Sequence, residues 1–481
     1  MAHFRLNRRR KIAWAVVGAL ALGSCAGTTN NIRGSVPSLP VDQSSVLVAI
    51  EQGGGNPATL RLLQGRTLQP IRTETVDLGY LELAIRSQDG SRVATASARE
   101  PYRSGNTLHT FRVFDVESET PLLEVEHVLS PWIGVFAEDG RSIYWLASAG
   151  EARPGMSLHR MDLATSRFAE PIVLPPNLMV RDLKALPGGG LAMFGSLDDY
   201  QGGPFRATSV GQVYTVSADG RVDSVPLPDI RLIDSDADAQ GMPPGREGFD
   251  PGLAWDLDRG LLHVVHAEAE RVTTVTLNGL QVQQGEIVPR RSIASALLSW
   301  LVPSAVAKEL IPSTSRTAVL APGGDTLFVS GTRMKVEQKS EVVWRQTSVP
   351  LGLSVVRASD MAKVQDLEGD VVSVSVSPDG KYLFTQEGGW VTETNNTTPE
   401  IAPNRMKILA AEDLSLVSEL KSAFGQFNGF SSDGRTAYLS GCASGVEEGP
   451  GVLTAVDVET GGAIAQSPLA QCYVNLLQPG D

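Results

Sequence analysis

Three carboxylates stand at alternate positions in Asp234-Ser235-Asp236-Ala237-Asp238. Oxygen ligands at that spacing suit Ca²⁺, a hard cation that takes carboxylate and carbonyl oxygens. The run is not an EF-hand, because Ala239 stands where that loop needs glycine and Gly245 where it needs the bidentate glutamate. A solvated acidic loop is the competing account. Asp198-Asp199-Tyr200 falls on the same face and can add ligands. His263 and His266 sit on a predicted strand, three residues apart, and so point to opposite faces and cannot easily share a metal. His109, His127 and His159 are scattered. No Cys-x-x-Cys, Cys-x-x-Cys-His, Gly-x-Ser-x-Gly or phosphate-cradling glycine motif occurs. That leaves no nucleophile–base pair or cofactor loop legible in the chain.

The elements that must position these residues repeat. A hydrophobic strand, a Pro/Asp/Gly turn and a second strand recur at 81–97, 133–148, 371–386 and 427–441, with weaker copies at 182–196, 252–266 and 317–331. Acidic turns between strands follow at 110–127, 157–174 and 453–467. A fixed repeat of this size marks an array of like units. Starting points near 81, 132, 181, 251, 316, 371 and 426 give seven complete four-stranded units. Residues 45–76 read as strands b, c and d without an a, and 472–481 as an a with nothing after it. Joined, they make an eighth unit. The expected fold is all-β: one closed β-propeller of four-stranded blades, eight most simply, seven as the alternative, with the two termini paired. Closure removes sheet edges that invite aggregation.

Phrases such as VSVSPDGKYLF (374–384) resemble the bacterial YVTN/WD40-like propellers, the broad group holding quinoprotein amine dehydrogenase heavy chains and lactonase-like propellers. The resemblance covers 45–481 as architecture and says little about activity. Val456-Asp457-Val458-Glu459-Thr460-Gly461 is similar to part of the tryptophan-docking motif of PQQ propellers, but Ala465 stands where its tryptophan belongs. This segment is better read as a c–d turn with Gly461 at positive φ.

The N-terminus reads as a sorting signal. Arg5, Arg8, Arg9, Arg10 and Lys11 precede an apolar run, Ile12 to Leu22, too short to span a bilayer. Leu22-Gly23-Ser24-Cys25 resembles the bacterial lipobox, an ordinary secretory peptide being the alternative. The resemblance implies a signal peptide over 1–24, lipidation of Cys25, a tether over 25–44 and a propeller over 45–481. It implies membrane attachment through the N-terminal lipid, at about 0.8 kcal/mol per buried CH₂. Ala26 follows the cysteine, so no aspartate there signals inner-membrane retention, and the outer membrane or cell surface is favoured. Cleavage removes five basic residues and no acidic ones, taking the formal charge from -13 to -18. That excludes a nucleic-acid surface. In an exported chain the remaining Cys442 and Cys472 suit a disulfide, worth roughly 3–4 kcal/mol on the chain-entropy account, with two buried thiols as the alternative.

The a–b and c–d turns are short, whereas 229–250, 283–315, 331–350 and 387–405 are long and all follow a b or a d strand. Strand parity puts them on one face. Residues 292–311 are apolar at helical spacing, with Pro303 breaking the run. Trp344, Arg345 and Trp390 are the candidate contacts of this face, aromatic and Arg side chains being enriched in binding hot spots. The functional expectation is a non-catalytic, envelope-anchored module that binds a protein or glycan partner, with no cofactor beyond the calcium alternative. The competing expectation is a lactonase-type propeller hydrolase or lyase with its site at the channel mouth.

Overall fold

In the computed structural model the described residues are 46–52, 57–71, 75–98, 109–116, 121–127, 131–148, 156–199, 208–234, 247–287, 310–340, 343–393, 400–401, 405–420, 425–442, 450–471 and 474–477. Among them every regular element is a strand and none is a helix. Leu310 and Ile311, the end of the segment read as helical, open the strand Leu310–Leu320 instead, and the rest of that segment lies outside the described residues.

The strands form blades of four. Blade 1 is the second half of Val76–Arg86 with Arg92–Ala98, His109–Asp115 and Pro121–His127. Blade 2 is Pro131–Phe136, Ser142–Ser148, Met156–Asp162 and an outer strand split into Arg167–Phe168 and Ile172–Val173. Blade 3 is Leu178–Leu186, Gly190–Asp199, Thr208–Val216 and Val222–Asp234, and blade 4 is Gly252–Asp256, Leu261–Val265, Arg271–Thr276 and Gln281–Glu286. Blade 5 is Leu310–Leu320, Thr326–Ser340, Leu353–Arg357 and Lys363–Leu367. Blade 6 is Val371–Val376, Tyr382–Glu387, Arg405–Ala410 and Leu416–Leu420, and blade 7 is Gly425–Phe430, Thr436–Cys442, Gly451–Asp457 and Ala463–Leu469. In blade 8, Val474–Leu477 pairs antiparallel with Val46–Glu51, with Val48 opposite Leu477 and Glu51 opposite Val474. Ala58–Gln64 and the first residues of Val76–Arg86 complete it.

Side-chain alternation explains why these strands read as apolar on both sides. Leu191 and Met193 pack with blade 2, whereas Ala192 and Phe194 pack with blade 4. Leu383 joins the core shared with blade 5, and Phe384 the core shared with blade 7. Each blade is thus the filling between two neighbours. Eight core clusters among the described residues each join one consecutive pair, and two of them close the ring. Leu47, Ala49, Val474 and Leu476 of blade 8 meet Tyr438, Leu453 and Leu469 of blade 7. Val48, Ile50 and Leu477 of the same blade meet Val93 and Phe114 of blade 1.

The recurrent turn is a small hydrogen-bonded device. In Ser377-Pro378-Asp379-Gly380-Lys381 the Ser377 hydroxyl donates to Asp379 Oδ1 at 2.7 Å and accepts from the Tyr382 amide at 2.9 Å. Asp379 Oδ1 accepts from the Lys381 amide at 3.2 Å. Ser87/Asp89 and Ser431/Asp433 repeat the pattern. The following glycine takes φ near the left-handed region, +73° at Gly380 and +70° at Gly434, where a Cβ is strained. Gly461 also has positive φ, +67°, and its amide reaches Asp457 O at 2.8 Å, so the partial docking motif is a c–d turn.

Candidate functional site

The first strands of blades 1 and 2, 2 and 3, 4 and 5, 5 and 6, 7 and 8, and 8 and 1 touch one another. In blades 1, 2, 3, 6 and 7 this inner strand skips a residue in register, at Glu82, Trp132, Arg181, Val372 and Asn428. The first four lie near the start of the paired segment, towards the face opposite the tight turns. Bulges re-aim side chains and are common beside functional sites. Glu82 lies 3.0 Å from His109 Nδ1, and Trp132 is 62% exposed. Arg181 Nη1 donates to Asp250 Oδ1 at 2.8 Å, and Ser315 Oγ donates to Asp250 Oδ2 at 3.4 Å. These three residues come from successive blades: Arg181 from blade 3, Asp250 from just before the inner strand of blade 4, Ser315 from blade 5. Burial raises the Asp250 carboxyl above the ordinary carboxylate range, although Arg181 and Ser315 pull the other way.

Beyond this ring the strands run past the disc and pair again. The end of Val222–Asp234 pairs with Glu247–Asp250, which runs parallel to the start of Leu310–Leu320. The chain then pairs onward through the far half of Thr326–Ser340, Val343–Pro350, Trp390–Glu393 and Glu400–Ile401. Described residues from all four long segments, 229–234 with 247–250, 310–315, 331–350 and 390–401, therefore share one continuous second-tier sheet on one face, contributed by blades 3 to 6.

Trp344, Arg345 and Trp390 all fall in this sheet, where Arg345 pairs with Glu393 and Thr347 with Val391. Register parity separates them: positions 344 and 390 belong to one face and 345 to the other. Arg345 instead shares its face with Arg316, Arg333 and Lys335, since Arg333 is opposite Thr314 and Val349, and Lys335 is opposite Thr347. Arg316, Arg333 and Arg345 are each partly exposed, yet each has an Nε–H shut off from water with no acceptor. Burial lowers the Arg316 pKa from its ordinary value; Glu270 opposes this and Arg333 adds to it. Residue type alone points to Arg345 and not to Arg316 or Arg333. Period-two spacing of cations within 316–345 is the signal that points to them.

The acidic run divides. Asp234 ends the outer strand of blade 3 opposite Glu247, whereas Asp236 and Asp238 lie outside the described residues. No group of three or more His, Cys, Asp or Glu able to hold a metal occurs among the described residues. Cys442 ends its strand opposite Gly451; Cys472 and Cys25 lie outside the described residues. His263 Nδ1 meets Thr274 Oγ1 at 2.9 Å and His266 Nε2 meets Thr273 Oγ1 at 2.8 Å. Adjacent partners on one strand confirm that the two rings face opposite ways.

No protein-family model matches the chain, and no curated protein does. Solved structures do. Dihydro-heme d1 dehydrogenase NirN in complex with DHE superposes with TM-score 0.51 at 16% identity, over 91% of this chain and 76% of that one. Apo AztD from Citrobacter koseri gives TM-score 0.47 at 8% identity over 90% and 97%. Oligogalacturonate lyase from Vibrio parahaemolyticus gives 0.40 at 11% over 83% and 95%. The first of these likenesses agrees with the propeller fold seen in the strand pairing, and at these identities none speaks to activity.

Proposed function

We propose that the chain is an envelope-anchored, non-catalytic binding propeller that docks a protein or glycan partner on its second-tier face. The observation that supports this is the asymmetry of the disc. One face is closed by tight hydrogen-bonded turns, and the other grows a continuous sheet from blades 3 to 6. Extra structure on one face of a repeat scaffold is the usual mark of a binding face. The lipobox-like Leu22-Gly23-Ser24-Cys25 supports a lipid anchor, with 25–44 as the tether and Cys442 and Cys472 as a bridge beside the closing strand.

Replacing residues 335–347 by a short turn removes the protruding hairpin without touching a blade core. The account expects an unchanged melting transition and lost partner capture from the native envelope; capture at the wild-type level contradicts it. A processed Cys25→Ser variant is expected to leave the membrane fraction, and its retention there contradicts the anchor.

Asp250 favours a second reading. A buried carboxyl with its pKa raised by burial, beside Arg181 where blades 3, 4 and 5 meet, is a candidate acid for a hydrolase or lyase of lactonase type. Turnover of a lactone that Asp250→Asn abolishes would establish that reading, and its absence across a lactone panel would remove it.

A further inference from the structure

The exposed apolar side chains follow a pattern. Of the ten large ones among the described residues, six stand at the first or second position of an outer strand. They are Leu122 in blade 1, Phe168 in blade 2, Val282 in blade 4, Val364 in blade 5, Leu416 in blade 6 and Ile464 in blade 7, and they are 38% to 57% exposed. Outer strands begin at the tight-turn face, so all six lie at one edge of the rim. Ile71, in the connection between the last two strands of blade 8, continues the row. Single exposed apolar residues are ordinary on a protein surface, but the same edge position in seven of the eight blades is not. Trp132, Val173 and Met179, the other three, lie toward the opposite face.

Further along the same outer strands the solvent-facing residues turn polar. Glu124 and Glu126 follow Leu122, Gln284 and Glu286 follow Val282, Asp366 follows Val364, and Gln466 follows Ile464, all of them exposed. The rim is thus graded, apolar at the turn edge and acidic or amide-bearing beyond it. The turns at this edge carry paired charges, with Lys381 3.2 Å from Asp379 and Arg221 3.1 Å from Asp223. The N-terminal segment joins the disc here too. Val46 opens its strand on the turn face, where its carbonyl accepts from Arg86 at 3.3 Å.

We propose that this apolar edge rests in the headgroup layer of the anchoring membrane and so turns the second-tier face away from it. The proposal rests on the lipid-anchor reading above. A flexible tether over 25–44 averages roughly 25 Å end to end, which keeps the disc near the lipid without choosing a face. The apolar edge chooses it. Points spread round a rim at one level lie in a plane, and a bilayer is a planar surface that can meet them together. Interfacial segments bury their apolar face about 5–10 Å into the headgroup boundary, and the polar positions further along each outer strand set where that burial stops. A chain of net charge -13 with paired charges on its turns suits zwitterionic headgroups, whereas an anionic surface repels it. The edge orients the disc and does not hold it alone, since stable attachment takes a second signal. The release expected of Cys25→Ser therefore stands.

The test places an environment-sensitive fluorophore on the lipidated full chain through Ala463→Cys, at the turn edge, or Gln346→Cys, in the second-tier sheet, with the unsubstituted chain as blank. Each is bound to phosphatidylcholine vesicles containing doxyl-labelled lipid. Position 463 is expected to shift to the blue and to be quenched, and position 346 to do neither. Leu122→Ser/Val364→Ser/Leu416→Ser/Ile464→Ser is expected to float with the vesicles as before and to lose the quenching at 463. Should that variant fail to fold, the contrast between 463 and 346 carries the test. Equal quenching at the two positions, stronger quenching at 346, or a folded serine variant with undiminished quenching at 463 overturns the proposal and leaves the anchor standing. A wild-type chain that does not float with the vesicles overturns the anchor and this orientation with it.

Discussion

At the scale of residues, buried polar groups divide into those the fold satisfies and those it leaves strained. Asp182, 6% exposed, accepts from Trp255 Nε1 at 2.7 Å and from the Leu183 amide at 2.9 Å, tying blade 3 to blade 4. His263 and His266 are also buried, and burial holds both imidazoles below their ordinary 6.5. Asp256 opposes this at His263 and Asp229 at His266, while Arg259 and Arg271 add to it. A histidine with a lowered folded pKa binds fewer protons folded than unfolded, so its stabilisation is full above 6.5 and is lost as pH falls below that value. The turn aspartates Asp89 and Asp379 are shifted below their ordinary 3.8 and act only at lower pH. Asp250, shifted up, favours the fold as it protonates and works against the histidines. The melting temperature is therefore expected to fall between about pH 7.5 and 5 in the wild type and to fall less in His263→Gln/His266→Gln. Equal slopes contradict the assignment.

At the scale of elements, strand existence was legible because period-two alternation and the Ser-x-Asp-Gly turn are both local. Val371–Val376 and Tyr382–Glu387 flank such a turn, and nothing distant is needed to form them. The incomplete ends were legible for the same reason: each lacked strands that the other supplied. The second-tier sheet was not. Its pairings join Asp250 to Ser315 and Thr347 to Val391, contacts between blades that no local pattern encodes. Parity puts these segments on one face, but their local pattern fits loops, and Leu310 and Ile311 fit a helical spacing. Their apolar spacing suits either period in so short a run, and pairing with Thr326–Ser340 decides for strand. Residue type alone groups Arg345 with Trp344 and Trp390. Only the register of Val343–Pro350 shows that it belongs with Arg316 and Arg333.

At the scale of the whole molecule, the ring is held where its two ends meet. Glu51, 1% exposed, accepts from Arg61 Nη1 at 2.9 Å and from the Ala470 amide at 2.6 Å, while Arg61 also donates to Pro468 O at 2.8 Å. On the turn face Arg86 donates to Leu477 O at 3.2 Å and Val46 O at 3.3 Å. Blade 8 is thus tied to blade 7 at one rim and to blade 1 at the other. Glu51→Ala leaves Arg61 without its buried acid and is expected to cost about 3–5 kcal/mol of unfolding free energy in denaturant titration. Deleting 470–481 is expected to broaden the transition as well, because the ring then opens. A loss within about 0.5 kcal/mol, the range of ordinary surface changes, contradicts the latch.

Closure gives the disc two unlike faces, and the account assigns binding to one of them. Backbone hydrogen exchange of the mature chain, measured with and without solubilised native envelope, separates the two faces directly. The account predicts slowed exchange concentrated in 310–316, 331–350 and 390–393, with the turns at 87–91, 377–381 and 431–435 unchanged. Slowed exchange at those turns, or an unchanged second-tier sheet while the envelope is bound, would contradict it.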